Sequence, residues 1–311
     1  MTHEVKTVPH QPHDLAESPS KIGPPSDQPQ CASTRFSRFD PSQPHPHDNA
    51  NVLVTVLMPC LDEARTLAAC IQQAHAGCQA ALAQRAHAPG NISVPGSTDE
   101  NVPHSNDAPS TAPGLTYEIL IADNGSTDGS PEIAIANDAR VVHVEQKGYG
   151  AALLGGIAAA RGKYIVMGDS DCSYDFGEVP RFLDKLEEGY DLVMGNRFAG
   201  GILPGAMPWH HRYIGNPILS GLGRLLYRTP CRDWHCGLRA FDREKIQALN
   251  LKAPGMEFAS EMVIVASIAH RRMIEIPIEL KPDGRNCGSH LRSLQDGLRH
   301  VHVIVFNYSI H

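Results

Sequence analysis

The sequence predicts an α/β protein with a mostly parallel central sheet and helices on both faces. Three observations carry that reading. Aliphatic and β-branched runs such as VLVTVLMPC, YEILIADN and KYIVMGDSD recur along the chain, as strands covered on both faces do. Each run ends in Pro, Gly, Asn or Asp, the residues that let a chain leave a sheet. Between them lie segments of helical apolar spacing joined by short connections, so strand and helix alternate as in right-handed βαβ units.

The length of 311 residues allows a sizeable core, and the sequence is read as one large domain with tails. A net charge of -7 and a pI near 6.2 exclude general nucleic-acid binding, which favours a basic patch. The eight cysteines follow no framework spacing and no signal peptide precedes the first strand, which is read as free thiols in a reducing, cytoplasmic compartment. No stretch reaches the roughly 18 apolar residues of a membrane span.

Residues 1–50, rich in Pro, Ser, His and Asp, read as a disordered tail that cannot bury enough surface to offset its ordering entropy. Order begins at Val52 with VLVTVLMPC, followed by a helix whose apolar positions include Leu67, Cys70, Ile71 and Ala74. Residues 86–114 carry few large apolar side chains and read as a mobile insert. The strand YEILIADN then breaks into GSTDGS, where Ser126 or Asp128 is placed to cap a helix near Pro131. ARVVHVE is a third strand. KGYGAALLGGIAAARGK is a glycine turn and an Ala-rich helix suited to close packing on the sheet.

KYIVMGDSD closes the first half. After a helix near Val179 to Glu188 comes DLVMGNR, a strand ending at Arg197; HRYIGNPILSGLGRLLYR reads as helix. RDWHCGLRAFDREKIQAL supplies a loop, a short strand and a helix, and GMEFASEMVIVASIAHR another helix with Glu257 and Glu261 one turn apart, read as a solvated or ion-paired face. MIEIPIEL is a late strand. The domain is taken to run over 51–300, with 301–311 a short apolar end beside a membrane.

Functional loops of such a sheet collect beyond the carboxyl ends of its strands. Here they bring Leu61 to Glu63, Asp123 to Gly129, Asp169 to Asp171 and Arg197 to one side. Three strand-end acids would repel one another without partners; a divalent metal and a nucleotide diphosphate supply them. Carboxylate and phosphate oxygens are the ligands Mg²⁺ or Mn²⁺ prefer, so Asp169 and Asp171 are the expected metal ligands.

The ordered series PCLDEA, ADNGSTDGS, KGYGAALLGGIAAARGKYIVMGDSD, DLVMGNR, HRYIGNP, DWHCGLRAF, GMEFASEM and PDGRNCGSHLRSLQDGLRH resembles the family-2 inverting glycosyltransferases of Rossmann-like GT-A fold. Within them it is similar to the polyprenyl-phosphate mannose or glucose synthases. The resemblance implies transfer of a hexose from UDP-glucose or GDP-mannose to polyprenyl phosphate, with Mg²⁺ or Mn²⁺ as cofactor. It implies that Pro59, Leu61, Glu63 and Asp123 border the nucleoside and that Asp169, Ser170 and Asp171 hold the metal and sugar diphosphate. It also implies that Arg197, Arg212, Arg285 and His290 face phosphate groups, with Asp233 on the acceptor side; Asp233 and Arg212 are the expected catalytic residues. The implied setting is the cytoplasmic face of a membrane, with room for a membrane-anchor partner protein. Competing readings are the same fold acting on a soluble hydroxyl acceptor, and a non-catalytic nucleotide-sugar binding protein.

Three positions depart from the pattern: Asn124 stands where many relatives have Asp, Asp62 where many have Asn, and His290 where Lys is usual. Close bacterial relatives continue into transmembrane helices, whereas this sequence stops at His311 and is read either as a peripheral form or as a truncated one.

Overall fold

The computed structural model describes residues 51–86, 115–284 and 293–310, with side chains of the last segment described for 297–305. The readings of residues 1–50 and of the insert within 87–114 lie outside them, as do Arg285 and His290.

Seven strands form one sheet: β1 Val52–Cys60, β2 Thr116–Asp123, β3 Arg140–His143, β4 Tyr164–Met167, β5 Leu192–Asn196, β6 Arg239–Asp242 and β7 Met273–Pro277. Their spatial order is β3-β2-β1-β4-β6-β5-β7. The helices are α1 Leu67–Ala86, α2 Ser130–Ala136, α3 Tyr149–Ala159, α4 Val179–Glu187, α5 Arg197–Gly200, α6 Asn216–Tyr227, α7 Arg243–Gln247, α8 Phe258–Ile268 and α9 Ser293–Ile310. A π-helical turn, His211–Gly215, leads into α6. Among the described residues no helix is long and apolar enough to cross a membrane.

The sheet is mostly parallel, as its buried aliphatic strands predict. Only β6 runs against its neighbours, pairing antiparallel with both β4 and β5. Apolar content cannot announce that reversal, because a central strand buries both faces whichever way it runs.

Two apolar clusters cover the two faces. One gathers Val54, Val56, Ile71, Phe176, Phe182 and Val193; the other Leu57, Leu120, Ile165, Trp234, Phe241 and Val263. The Ala-rich α3 lies close on β1 and β2, since a Cβ at Gly156 would meet Leu57 Cδ1 at 2.3 Å.

Helix α6 turns Leu219, Leu222 and Leu226 toward the second cluster, where they are partly buried, and carries further apolar side chains on its outer face. Its buried positions are Asn216, Ser220 and Gly223. Gly223 fits because the Trp234 ring occupies the space a Cβ would take, 2.1 Å away. The side chains turned outward along the π turn and α6 include Tyr213, Ile214, Ile218, Arg224, Leu225 and Arg228, with Leu225 77% and Ile218 62% exposed. The whole segment Trp209–Arg228 contains no acid. Tyr227 Oη donates to the Ile304 carbonyl at 2.6 Å, tying α6 to α9, which itself exposes Leu298, Val301 and Val305.

Candidate active site

The loop after β4 is gripped from three sides. Ser170 Oγ donates to the Pro59 carbonyl at the end of β1 (2.8 Å), and Thr66 Oγ1, just ahead of α1, donates to the Ser170 carbonyl (2.7 Å). From the third side, the Gly284 and Lys281 amides donate to the carbonyls of Asp171 and Ser173 at 2.8 and 2.9 Å. Asp171 Oδ1 accepts the Ser173 amide at 3.0 Å. The phenol of Tyr149 donates to Asp169 Oδ1 at 3.0 Å. Burial first, then the charge of Asp169, pushes that phenol far above its ordinary pKa, so it stays a proton donor. The glycine turn reads from sequence only as close packing; its tyrosine as the partner of Asp169 was not evident there.

At the carboxyl ends of β1 and β2, where Pro59 pairs with Ala122 and Cys60 with Asp123, lie Pro59, Leu61, Glu63 and Asp123. Asp123 Oδ1 accepts the Ser126 amide (3.0 Å), and Oδ2 accepts from the Gly125 amide (3.2 Å) and His143 Nδ1 (3.0 Å). Burial raises this carboxyl, yet the hydrogen bonds from Ser126, His143 and Gly125 outweigh it and hold the pKa below the ordinary carboxylate value.

Two departures from the family pattern acquire local reasons. Asn124 donates through Nδ2 to the carbonyls of Val144 (3.0 Å) and Gln146 (2.8 Å) while Oδ1 accepts the Gly148 amide (2.8 Å); an aspartate could not donate. Asp62 has a left-handed backbone, φ 57°, which Asp and Asn both tolerate, and its Oδ1 accepts the Thr127 amide (2.7 Å).

Asp128 acts as a local staple, accepting the amide and hydroxyl of Ser130 at 3.0 and 2.6 Å and the Ala64 amide at 2.8 Å. Glu261 accepts the amides of Lys252 and Ala253, and Glu257 that of Gly255. Both glutamates thus fasten the loop before α8 through its backbone rather than forming the expected ion-paired face.

Past the end of β5, Arg197 and Asp233 meet one another. Arg197 Nη2 donates to Asp233 Oδ1 at 2.6 Å, and Nε and the backbone amide donate to Oδ2 at 2.8 and 2.9 Å. Both residues are buried, Asp233 completely. Burial lowers the guanidinium pKa, yet the charge and hydrogen bond of Asp233, joined by Tyr174 and Cys236, together outweigh it and push the pKa further up. Glu275 of β7, unnoticed in the sequence, holds this loop: Oε1 accepts the amides of Arg232 and Asp233 at 2.5 and 2.6 Å, and Oε2 accepts Asn196 Nδ2 at 2.8 Å. Arg212, on the π turn, stacks over Tyr213 with 5.5 Å from Cζ to the ring centroid.

The halves touch at Gly237, where a Cβ would stand 2.6 Å from Asp169 Oδ2 and 2.9 Å from the Tyr174 ring. That close approach lets the loop before β6 face the carboxylates after β4. The donor set suits a hard divalent cation, since Asp169 and Asp171 supply carboxylate oxygens to one loop. Among the described residues no cluster of three or more His, Cys, Asp or Glu could hold a metal. Phosphate oxygens and water would therefore complete the shell, as is usual for Mg²⁺.

This α/β sheet, with its two carboxylates after β4, defines the GT-A class. The sequence matches the family model described as Glycosyl transferase family 2 over residues 106–249. A low-salt glycan biosynthesis hexosyltransferase, Agl6, of Haloferax volcanii is 42% identical over 191 residues, 61% of this chain and 46% of that protein. A dolichyl-phosphate hexose transferase of the same organism is 32% identical, over 52% of this chain and 68% of that protein. An uncharacterized glycosyltransferase of Mycobacterium tuberculosis is 31% identical, over 53% and 74%. The chain spans about half the length of the first of these relatives. Glucosyl-3-phosphoglycerate synthase from M. tuberculosis, crystallised with Mn²⁺, UDP and glucosyl-3-phosphoglycerate, shares the fold at a TM-score of 0.57 with 22% identity, over 83% of this chain and 80% of that one. The chain belongs to glycosyl transferase family 2.

Proposed function

We propose that the chain is a metal-dependent inverting hexosyltransferase that moves a sugar from a nucleotide donor, UDP-glucose or GDP-mannose, to polyprenyl phosphate at the cytoplasmic surface of a membrane. The observation that carries the lipid acceptor is the exposed outer face of α6 and the turn before it, where Tyr213, Ile214, Ile218 and Leu225 stand beside Arg224 and Arg228. Its apolar outer face and the exposed Arg224 and Arg228 suit an anionic bilayer surface, where each cation near the surface contributes about 1 kcal/mol. Beside it lies a cleft of about 360 Å³ lined by Asn196, Phe198, Pro217, Ser220, Arg224 and Arg232, which combines apolar contact with cations. A membrane-anchor partner is compatible with the same face.

In this reading the Asp123 loop and the end of β1 border the nucleoside, and Asp169 and Asp171 hold the cation under the diphosphate. When bound, that cation neutralises charge developing on the departing nucleoside diphosphate. Tyr149 fixes the Asp169 carboxylate, and Gly237 lets the acceptor-side loop close on it. A phosphate monoester, with a second pKa of about 6, is already largely anionic at neutral pH, so attack at the anomeric carbon from the face opposite the leaving group needs no strong base. Asp233, with both oxygens accepting from Arg197, acts as the anchor of that guanidinium. Arg212, Arg285 and His290 are assigned to phosphate groups.

Radiolabelled transfer from each nucleotide sugar, with and without polyprenyl phosphate and with EDTA, tests this. Lipid-linked product that EDTA abolishes is expected. Transfer confined to water-soluble acceptors would overturn the lipid assignment, and EDTA-resistant transfer the metal assignment.

A further inference from the structure

The first turns of α1 meet the loop after β4 at two sulfurs. Cys70 Sγ and Cys172 Sγ lie 3.5 Å apart, and Cys70 Sγ accepts the Cys172 amide at 3.3 Å. This is the one pair of cysteine sulfurs in contact among the described residues. Cys172 directly follows Asp171 and holds a left-handed backbone, φ 64°, a conformation that costs a residue with a Cβ roughly 1 to 2 kcal/mol. Its thiol also donates to the Thr66 carbonyl at 3.7 Å. Cys70 is fully buried, on the same helix face as Leu67, Ile71 and Ala74, while Cys172 is partly exposed.

We propose that Cys70 and Cys172 are a reversible disulfide site that regulates the donor loop. A disulfide needs an S–S separation of about 2.05 Å, so the sulfurs must close by roughly 1.5 Å from their present contact. Cys70 is fixed in the core through α1; the loop bearing Cys172 is the part that yields. Its displacement draws Asp171 away from its place beside Asp169 and pulls on the Gly284 amide bonded to the Asp171 carbonyl. The inference rests on the proposed metal role of Asp171.

The chemistry is exchange with a low-molecular-weight disulfide. The partly exposed Cys172, as thiolate, attacks one sulfur of that disulfide and expels the first small thiolate, leaving a mixed disulfide. Cys70, as thiolate, then attacks the Cys172 sulfur and expels the second. The two protons lost by the cysteines go to the two expelled thiolates; the cysteines are oxidised and the small disulfide is reduced.

The test is to incubate the full chain with oxidised glutathione, alkylate the remaining thiols, digest with trypsin without reduction and analyse by mass spectrometry. A cross-link between peptide 66–85 and peptide 164–181 is expected, with fragment ions placing it at Cys70 rather than Cys78, and dithiothreitol should reverse it. In parallel, Mn²⁺ binding by calorimetry and sugar transfer are measured before and after oxidation. A misplacement of about 1 Å at such a loop is expected to cost on the order of 10²-fold in rate, with weakened Mn²⁺ binding, both restored by reduction; Cys70→Ser should keep its reduced-state rate in oxidant. Absence of the cross-link overturns the site. A cross-link that leaves Mn²⁺ binding and rate unchanged overturns the regulation, and equal loss of rate in Cys70→Ser assigns the effect to another thiol. The cross-link needs no active enzyme, so failure of the hexosyltransferase reading leaves a distinct pattern: the cross-link forms in a chain that transfers no sugar even when reduced.

Discussion

Asp233→Asn separates anchoring from chemistry. In the native protein a fully buried carboxylate accepts three hydrogen bonds from Arg197, the shortest 2.6 Å from Nη2. An amide of the same shape keeps one oxygen for Nε and the backbone amide but turns an NH₂ toward Nη2, placing donor against donor. It also leaves the buried guanidinium without a counter-charge. Removing one partner of a buried pair costs about 3–5 kcal/mol. At roughly 2–4 °C per kcal/mol for a domain of this size, the melting temperature should fall by about 6–20 °C. Thermal unfolding by circular dichroism reads that loss, and transfer assayed well below the new midpoint should retain measurable turnover with an unshifted pH profile. Arg197→Met in the same chain should recover part of the stability, because a neutral pair leaves no stranded charge. A variant that melts within about 1 °C of the native protein yet transfers no sugar would refute the anchoring role and make Asp233 a general base.

Tyr149→Phe removes the hydrogen bond that orients Asp169; the Mn²⁺ concentration for half-maximal rate should rise about 10–100-fold, and an unchanged metal titration would count against the assignment. Gly223→Ala sets a Cβ 2.1 Å from the Trp234 ring, and overpacking of about 1–3 kcal/mol should appear as a lower denaturant midpoint; an unaltered midpoint would mean α6 is free to shift. Because the folded pKa of Asp123 lies below its unfolded value, its stabilisation is complete above the unfolded pKa of about 3.9 and is lost as pH falls through the lower folded value. Asp123→Asn should accordingly flatten the dependence of melting temperature on pH in that acidic window, and an unchanged curve would show the carboxylate to be unimportant for folding. Replacing Ile218 and Leu225 with Asp should abolish co-sedimentation with anionic vesicles while leaving the melting temperature nearly unchanged, since both are exposed; undiminished co-sedimentation would exclude α6 as the docking face.

The strands were legible because burial on both faces leaves one signature, the continuous aliphatic run, and β1, β2, β4 and β5 all carry it. The carboxylates after β4 were legible because a strand end followed by Asp-x-Asp is a local pattern. What pairs with what was not. Arg197 and Asp233 stand 36 positions apart, and nothing in either segment says that the two would satisfy each other. Tyr149 and Glu275 escaped for the same reason, their roles depending on partners supplied by other elements. Helix α6 was recognised as a helix while its second apolar stripe stayed hidden: Leu219, Leu222 and Leu226 take the side that faces the core, with Gly223 seated against the Trp234 ring, so Ile218 and Leu225 are left outside.

The reversal of β6 has its own consequence. In a wholly parallel sheet, every loop at the reactive edge follows a strand, so each such loop begins from a fixed end and leads away into a helix. Here the segment 232–238 arrives at that edge and feeds into β6, held in place by Glu275 from one side and the Arg239 guanidinium, which donates to the carbonyls of Trp234 and Cys236, from the other. Under the proposed function, substitutions in this incoming segment would act on the acceptor and would reach the outgoing loops too, through Asp233 on Arg197 and Gly237 beside Asp169.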